Sequence, residues 1–374
     1  MSAPPRASRI LLVSKPLGPP WNDSSKNLVR DLAFGLSRHE ARGFGRRTGP
    51  ERLGNVELEP LYPAKQGGFS PALRDNARVL LRLVGGRGAD LFHFFFAPNP
   101  RTSQAARFAA GARRTKTIQT VCSVPRNDAA LERVLFGDRI VVLSRHTEAR
   151  FLAAGIARER VVRIPPAAPP LEPLSAEQKV ALRQTLGLDP EAPLLLYPGD
   201  LEFGNGARLV LEAHEKLASN VHLVLACRAK TPAAREVEAE LRARTHTLGT
   251  APRVTWLGET PHILELVGTV DVVALPSDVA YAKMDYPLVL LEAMALGRPV
   301  LVATGTPAAE LADGGGALAV EPDADMLARS LSELFGDGTA RARLGETARN
   351  QAISTFSRTR MARDYELLYD ALLS

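Results

Sequence analysis

The chain has 374 residues, of which 45% are hydrophobic and 24% are charged. This length favours two domains of roughly 150 residues each, and the composition excludes a disordered chain and a membrane-embedded one. The formal net charge is +6, but residues 1–170 carry 28 basic and 13 acidic side chains, whereas residues 171–374 carry 19 and 28. Such a difference in sign between the halves indicates that the basic half meets an anionic partner.

The cysteines and the apolar runs bear on the compartment. Cys122 and Cys227 are the two cysteines and form no CxxC pair, which is typical of a reducing cytosol and of neither a disulfide framework nor a zinc site. The apolar run Ile10–Val13 is too short for a signal-peptide core, and no run approaches the roughly 18 residues of a membrane span. We therefore expect a cytoplasmic protein, at most peripheral to a membrane.

In the first half, short apolar runs alternate with stretches of helical periodicity, beginning with a strand over Arg9–Ser14 and a helix over Ser25–Arg38. This alternation predicts βαβ units and a parallel sheet. The further predicted elements are, in order, strand Asp90–Phe95, helix Ser103–Arg114, strand Lys116–Cys122, helix Ala129–Leu135, strand Arg139–Leu143, helix Thr147–Ala154 and strand Val161–Ile164.

Residues 165–193 are rich in proline around one polar helix, Ala176–Leu186, which predicts a stiff connector and a domain boundary. A second alternating series follows. Its predicted elements are strand Leu194–Tyr197, helix Ala207–Leu217, strand His222–Ala226, helix Ala233–Leu248, strand Val254–Leu257, helix His262–Val267, strand Val270–Pro276, helix Leu288–Leu296, strand Pro299–Ala303, and helices Ala324–Leu334, Ala340–Thr355 and Arg358–Leu372. The sequence thus predicts two doubly wound, Rossmann-like α/β domains, 1–170 and 171–355, which we expect to face each other across a cleft.

Ligands of open parallel sheets bind beyond the carboxyl ends of the strands, so the loops after strands are the candidate sites. The loop Lys15–Ser25 has no G-x-G-x-x-G pattern, so a dinucleotide site is not indicated. Asp23 or Ser24 could cap the next helix, and the N–H groups at the start of that helix could in addition bind an anion. The loop Tyr197–Gly206 contains Gly199, Gly204 and Gly206, and glycines permit close backbone approach to a phosphate or sugar. A plain tight turn explains one such glycine better than three.

Two further loops in the second half carry charge. Arg228 and Lys230 follow a predicted strand, and Lys283 and Asp285 lie between another strand and a helix that Pro287 opens. Lysine is rare in this chain, so Lys230 is the more informative of the first two. Glu292 lies one turn into that helix among apolar residues, where a buried carboxylate needs a partner such as a sugar diol or backbone N–H groups.

The segment from Pro287 to Ala303, PLVLLEAMALGRPVLVA, resembles the hallmark segment of the group 1 (family-4) glycosyltransferases, which are retaining enzymes of the GT-B fold. The resemblance is specific over 254–310 and extends loosely to most of the chain. The other similar segments are Gly199-x-Leu with Gly206, Val254-x-Trp-Leu-Gly258, Asp271–Ser277, Thr304–Glu310, Phe356–Tyr369, Ala89–His93, Arg139–Ser144 and Arg160–Pro165. The resemblance implies that residues 356–374 form a helix that crosses back to the first domain.

The chain departs from the family pattern at several positions. The first member of the family's glutamate pair, which holds donor-sugar hydroxyls, is replaced by Met284 beside Asp285. The diphosphate-binding Arg and Lys are replaced by Asp200 and Asn205. A histidine of the first domain is replaced by Cys122, and the first-loop glycine pair by Asn22–Ser25. Two interpretations remain open: a degenerate, non-catalytic relative, or a divergent member with a rewired donor site. The presence of Lys230, Lys283 and Asp285 favours the second.

The resemblance implies transfer of a hexosyl group from a nucleotide diphosphate sugar to an acceptor hydroxyl, with retention, without a metal ion and without a further cofactor. Glu292 would hold the ribose and Asp285 the donor sugar, and cations would neutralise the diphosphate. We expect Lys283, Asp285 and Lys230 to be catalytic. The expected donor-binding residues are Gly199, Asn205, Gly206, Arg228, Lys230, Gly258, Tyr286, Pro287, Leu288 and Glu292.

The basic first half favours an acceptor that is anionic or associated with a membrane, docked through helix Ser25–Arg38 and the stretch Arg42–Arg47; a solvated arginine-rich face is the alternative. The residues expected to line the acceptor side are Lys15, Trp21, Asn22, Ser24, Ser25 and His93. Three rival functions are a nucleotide-sugar-binding protein without turnover, a nucleotide-sugar epimerase and a nucleic-acid binder, although no recognition motif supports the last.

Overall fold

A computed structural model describes residues 7–64, 72–86, 88–125, 128, 131–201, 204–229, 231–279 and 283–374. These residues form two compact units. The first comprises residues up to Ala167 with 283–285 and Phe356–Ser374, and the second comprises residues from Ala168 with Tyr286–Thr355. The division after Ala167 lies three residues before the predicted boundary at 170.

The first unit is an eight-stranded sheet with helices. Its strands are β1 (Arg9–Val13), β2 (Glu40–Arg46), β3 (Arg52–Leu53), β4 (Val56–Tyr62), β5 (Leu91–Phe95), β6 (Lys116–Thr120), β7 (Arg139–Val142) and β8 (Val161–Arg163). Its helices are α1 (Ser24–Gly35), α2 (Leu73–Gly85), α3 (Pro100–Arg113), α4 (Leu131–Val134), α5 (Arg145–Ala153) and, from the end of the chain, α13 (Arg358–Leu373).

The strand order of the first sheet is β3-β4-β2-β1-β5-β6-β7-β8, and all pairs are parallel except β3–β4. From β1 the chain builds outward in one direction through β2 and β4 and then in the other through β5. The order therefore reverses between β1 and β5, and the loops after these two strands meet at a topological switch point. Strands β1, β5 and β7 are almost continuously apolar, as expected where helices cover both faces of a parallel sheet.

The second unit contains a six-stranded parallel sheet of order β11-β10-β9-β12-β13-β14. Its strands are β9 (Leu194–Tyr197), β10 (His222–Leu225), β11 (Val254–Trp256), β12 (Val272–Leu275), β13 (Val300–Ala303) and β14 (Ala317–Val320). Its helices are α6 (Ala176–Thr185), α7 (Gly206–Glu215), α8 (Pro232–Thr247), α9 (Ile263–Thr269), α10 (Leu288–Ala295), α11 (Ala324–Gly336) and α12 (Gly338–Thr355), with a 3₁₀ segment over Pro307–Gly314. This order is the Rossmann arrangement, and its switch point lies between β9 and β12.

The C-terminal helix α13 returns to the first unit, as the resemblance implied, and packs on α1. The carboxylate of Asp31, fully buried on α1, accepts hydrogen bonds from Nε and Nη2 of Arg358 on α13. Glu366 on α13 accepts from the backbone N–H groups of Ser37 and Arg38, both at 2.6 Å. These contacts satisfy the backbone groups that follow the end of α1 and hold the helix in the first unit.

The predicted connector 165–193 contains helix α6, which packs on α9 inside the second unit. Arg183 on α6 is buried, and its guanidinium donates to the carbonyls of Thr269, Pro190 and Ala192. The planar guanidinium has five N–H donors and therefore can donate hydrogen bonds to several backbone carbonyls at once. The proline-rich stretch thus contains the division between the two units, and α6 belongs to the second unit.

The predicted docking face, helix Ser25–Arg38 with the stretch Arg42–Arg47, stays a prediction. The stretch Arg42–Arg47 lies almost entirely in β2, between β1 and β4, where Gly43, Phe44 and Gly45 are buried. In α1, Lys26 is buried and Arg30 is paired with Asp31. Lys26 and Arg30 are thus engaged within the fold, whereas Arg47 is exposed.

Candidate functional site: the switch-point loops

In the second unit, the loops after β9 and β12 meet at the switch point and are held together by Asp278. Its Oδ1 accepts a hydrogen bond of 2.9 Å from the backbone N–H of Asn205, and its Oδ2 lies 3.4 Å from Asn205 Nδ2. Gly204 has φ of +76°, and a Cβ there would lie 2.5 Å from Asp278 Oδ1. Gly204 is therefore required for this tie, which sequence reasoning missed because residues 205 and 278 are far apart in the chain.

Gly199 and Gly206 make room for the ring of Tyr197. A Cβ at Gly199 would lie 2.4 Å from the Tyr197 hydroxyl, and one at Gly206 would lie 2.9 Å from it. The ring is fully buried beneath the loop, and its hydroxyl donates to the carbonyl of Asp200 at 3.3 Å. Burial raises the pKa of Tyr197 well above its usual value, so this group is a neutral donor. Packing against Tyr197 explains these two glycines, and their expected contact with a donor stays a prediction.

Arg228 extends from the end of β10 toward the same loop. Its Nη2 lies 3.6 Å from Asp200 Oδ1, and residues 200 and 228 form an isolated parallel bridge beyond β9 and β10. Arg228 is half-buried, so the Asp200 carboxylate offsets part of its charge. Lys230, expected beside it, lies outside the described residues.

The segment 283–292 spans both units. Lys283 is half-buried and Met284 is buried. Asp285 is buried in the first unit, where its Oδ2 accepts a 2.6 Å hydrogen bond from the hydroxyl of Ser144. Ser144 is also the N-cap of α5 and accepts from the backbone N–H of Thr147. The sequence paired Asp285 with a donor sugar but did not foresee that a serine after β7 would hold it.

Residues Tyr286–Thr355 belong to the second unit. Pro287 is the N-cap of α10, and Leu288 and Glu292 on that helix are buried, with Glu292 only 7% exposed. The hydroxyl of Tyr286 donates to Oε2 of Glu310 at 2.6 Å. This bond ties the start of α10 to the 3₁₀ segment after β13, and Glu310 was not among the expected site residues. Gly258, after β11, has φ of +66° and open space around its Cα, and its role stays a prediction.

In the first unit, the switch-point loop after β1 brings together most of the residues expected on the acceptor side. Asp23 caps α1 by accepting from the backbone N–H of Lys26 at 3.1 Å. The same carboxylate pairs with Lys15 Nζ at 2.7 Å and accepts from the Ser25 hydroxyl at 2.5 Å. Burial alone would raise the pKa of Asp23, but the Lys15 cation and these hydrogen bonds hold it below its usual value. The carboxylate is thus ionised and engaged.

Trp21 lies in the same loop, with Lys26 Nζ 5.3 Å and Arg30 Cζ 5.4 Å from its ring centroid. Lys26 Nζ also donates to the carbonyls of Gly18 and Pro20. Burial, reinforced by the Arg46 charge, lowers the pKa of Lys26 to about 8. Asn22 and Ser24 are exposed. The loop is therefore a preformed polar surface held from beneath by Lys26.

The expectation that His93 lines the acceptor side is wrong. His93 lies within β5 and is fully buried. Its Nδ1 lies 2.7 Å from the hydroxyl of Tyr369 and its Nε2 lies 2.8 Å from Oγ1 of Thr120. Burial lowers the pKa of His93 well below its usual value, so the ring is neutral. The sequence placed His93 near the end of a strand, but only tertiary packing showed that α13 covers it.

Within the described ranges, no helix combines the length and apolar character needed to cross a bilayer. Within those same ranges, no group of three or more His, Cys, Asp or Glu side chains is arranged to hold a metal ion. Cys122 and Cys227 are both buried and form no disulfide.

The two Rossmann-like parallel α/β units define a protein of the GT-B class. Residues 178–351 match the family model of the glycosyl transferases group 1. This segment contains the switch-point loops after β9 and β12, together with Glu292 and Glu310. Through this segment, which is just under half of the chain, the protein is similar to the group 1 glycosyltransferases.

Known proteins similar to the chain agree with this assignment. A D-inositol 3-phosphate glycosyltransferase of Xylanimonas cellulosilytica is 32% identical over 232 residues, which are 58% of this chain and 54% of that protein. One of Mycolicibacterium gilvum is 28% identical over 53% of this chain and 44% of that protein. The chain thus spans about half the length of these curated relatives. The Anabaena protein HepE, solved with UDP and glucose, is 19% identical with a TM-score of 0.78, covering 98% of this chain and all of that one.

Proposed function

We propose that this protein transfers a hexosyl group from a nucleotide diphosphate sugar, with UDP or GDP as the nucleotide, to an acceptor hydroxyl. One observation carries the proposal: the family segment 178–351 builds the Rossmann switch point, where the buried carboxylate of Glu292 follows the start of α10. Ligands of this fold bind at that place. A carboxylate there accepts hydrogen bonds from a ribose diol.

The donor roles follow from the charges around the two loops. Glu292 binds the ribose, Asp285 binds the donor sugar, and the diphosphate lies against Arg228, Lys230, Lys283 and the N–H groups near Tyr286 and Leu288. The leaving diphosphate gains charge in the transition state, so fixed cations and N–H dipoles lower the barrier. Because Asp200 lies beside Arg228, this arginine offers less net positive charge to a diphosphate than the arginine of the family pattern would.

In this proposal the reaction proceeds with retention and without a metal ion, in the synthesis of a polysaccharide, a glycolipid or a secondary metabolite. The acceptor approaches the loop after β1, where Lys15, Trp21, Asn22, Ser24 and Ser25 lie together. It is an anionic or membrane-associated molecule, and the protein acts in the cytoplasm at the inner face of the membrane. The basic composition of residues 1–170 supports this part of the proposal.

Release of free nucleotide tests the proposal. The protein is incubated with UDP- and GDP-sugars, starting with UDP-glucose because HepE is described with UDP and glucose. D-inositol 3-phosphate, for which two relatives are named, is offered first as acceptor, followed by cell extracts. We expect nucleotide release that depends on one donor and one acceptor. No release with any donor, with or without acceptor, would overturn the enzyme proposal.

Two controls separate the rival functions. Calorimetric binding of a nucleotide sugar without release identifies a binding protein that has lost turnover. Nuclear magnetic resonance of the sugar without acceptor identifies an epimerase, because the ring-proton couplings of the donor change while no nucleotide is freed. For the transferase, the anomeric coupling of the product shows whether configuration is retained.

A further inference from the structure

The three most exposed large apolar side chains of the described residues lie on two neighbouring helices of the first unit. They are Leu73 and Leu81 on α2, 86% and 72% exposed, and Phe108 on α3, 64% exposed. Leu73, Ala77 and Leu81 are four residues apart and share one side of α2. Scattered exposed apolar residues need no explanation, but a cluster on one surface marks an interaction site.

Both helices turn their outer sides toward the same region of solvent. Val79, Leu80 and Val84 on α2 pack, together with Ala106 and Ala109 on α3, in one apolar cluster beneath the helices. The two helices contact each other directly. Since their inner sides share one core, the opposite sides form a continuous outer surface, which we call the α2–α3 face.

The α2–α3 face is strongly basic. The two helices contain six arginines and a single acidic residue, Asp75, which is buried and paired with Arg78. Arg82 is paired with Glu59. The other four arginines of the two helices, and the arginine that caps the C-terminus of α3, form no ion pair with a carboxylate of the described residues. These five are Arg74, Arg101, Arg107, Arg113 and Arg114. All five are exposed.

Other basic groups of this unit are used differently. On α1, Arg30 is paired with Asp31 and, just beyond it, Arg38 with Asp370. Phe34, an exposed phenyl ring of α1, has the guanidinium of Arg358 5.1 Å from its centroid. The α2–α3 face thus combines exposed arginines with large exposed apolar side chains.

We propose that the α2–α3 face docks on an anionic lipid bilayer, with the arginines at the phosphate groups and Leu73, Leu81 and Phe108 entering the acyl boundary. Basic residues with interleaved leucine and phenylalanine are the composition of an interfacial helix. A nucleic acid would contact the arginines but would gain nothing from exposed leucines. A symmetric dimer would place this basic face against itself, and the like charges would repel. This inference does not depend on the transferase activity.

The test is co-sedimentation of the full-length protein with vesicles. One set contains phosphatidylcholine alone, and the other contains phosphatidylcholine with about a third phosphatidylglycerol. We expect binding to the anionic set at about 0.1 M salt and a steep loss of binding as salt rises, because screening shortens the range of the surface potential. Equal binding to both sets, or to neither, would overturn the proposal.

Variants locate the contact. Each arginine near an anionic surface contributes about 1 kcal/mol, so R74Q with R107Q should weaken partitioning roughly 25-fold. L81S with F108S should weaken it as well, with little change in the salt dependence. The matched controls are R329Q and I353S, which remove an exposed arginine and an exposed isoleucine of the second unit and should leave binding unchanged. All of these positions are exposed, and a thermal melt checks that each variant is folded.

Two other outcomes would each contradict the proposal that the α2–α3 face docks on a bilayer. One is tight, salt-dependent binding to duplex DNA that R74Q/R107Q abolishes while vesicles are not bound. The other is dimerisation in solution that L81S/F108S abolishes, again without vesicle binding. If the control variants lost vesicle binding to the same extent as the α2–α3 variants, the contact would be non-specific and the proposal would fail.

Discussion

His93 and Tyr369 are joined by a hydrogen bond of 2.7 Å between the imidazole Nδ1 and the phenol hydroxyl. The other ring nitrogen of His93 bonds to Thr120, whose Oγ1 lies 3.0 Å from the hydroxyl of Tyr365. All four side chains are buried. This chain of hydrogen bonds fastens α13, the end of the polypeptide, to the centre of the first sheet.

We expect Y369F to lower the free energy of unfolding by about 1–3 kcal/mol, because it leaves Nδ1 of a buried imidazole without its partner. Urea denaturation measures the change. L367A, on the same helix but 53% exposed, is the control and should cost less than about 1 kcal/mol. Equal effects of the two substitutions would show that the network contributes no more than helix packing.

The depressed pKa of Lys26 makes stability depend on pH. Its folded pKa of about 8 lies below the ordinary 10.5, so between these pH values the unfolded chain binds a proton that the folded protein does not. Stability attributable to this group therefore rises from pH 8 to 10.5, by up to about 3 kcal/mol. K26M removes the titration, and its unfolding free energy should lack this rise. Parallel pH profiles for the two proteins would contradict the assignment.

The packing of Gly199 on Tyr197 predicts a cost for G199A in the absence of any ligand. The new methyl group would lie 2.4 Å from the Tyr197 hydroxyl, and such overpacking costs about 1–3 kcal/mol. G336A, at a position with open space, is the control and should not destabilise. In a Y197L background the cost of G199A should shrink, since the two sites are coupled. A stable G199A that has lost only nucleotide binding would favour the phosphate role instead.

Glu292 is expected to bind the nucleotide ribose. E292Q keeps the size of the side chain but removes its charge, and hydrogen bonds to charged groups contribute about 1.5–3 kcal/mol. We therefore expect nucleotide affinity to fall at least tenfold in titration calorimetry. E333Q, on the exposed side of α11, is the matched control. Unchanged affinity in E292Q would refute the role.

Asp285 and Ser144 allow the anchoring of a loop to be separated from contact with the donor. S144A removes both the cap of α5 and the 2.6 Å bond to Asp285, so it should lower stability by about 1–2 kcal/mol. D285N keeps an oxygen acceptor and should change stability less while lowering kcat. Should both variants lose stability and turnover in the same proportion, Asp285 would be an anchor only.

Local patterns were sufficient for much of the fold. Apolar runs such as Leu194–Tyr197 and Val272–Leu275 are buried on both sides of a parallel sheet, and this leaves an unbroken signal in the sequence. Strand β2 was missed because Glu40–Arg46 contains two glycines and three charged residues and has no apolar alternation. Its place between β1 and β4 supplies the burial that its own composition does not indicate.

The sequence by itself determined the parallel α/β class and the resemblance to the group 1 glycosyltransferases, and it indicated a division near residue 170 and the loops in which we propose that the chemistry lies. These features depend on residues close together in the chain or on motifs of fixed spacing. Only the tertiary structure decided that Tyr197 occupies the space beside Gly199, that Ser144 holds Asp285 and that His93 is covered by Tyr369. It also placed exposed arginines and large exposed apolar side chains on the α2–α3 face, because burial depends on how the elements pack against one another.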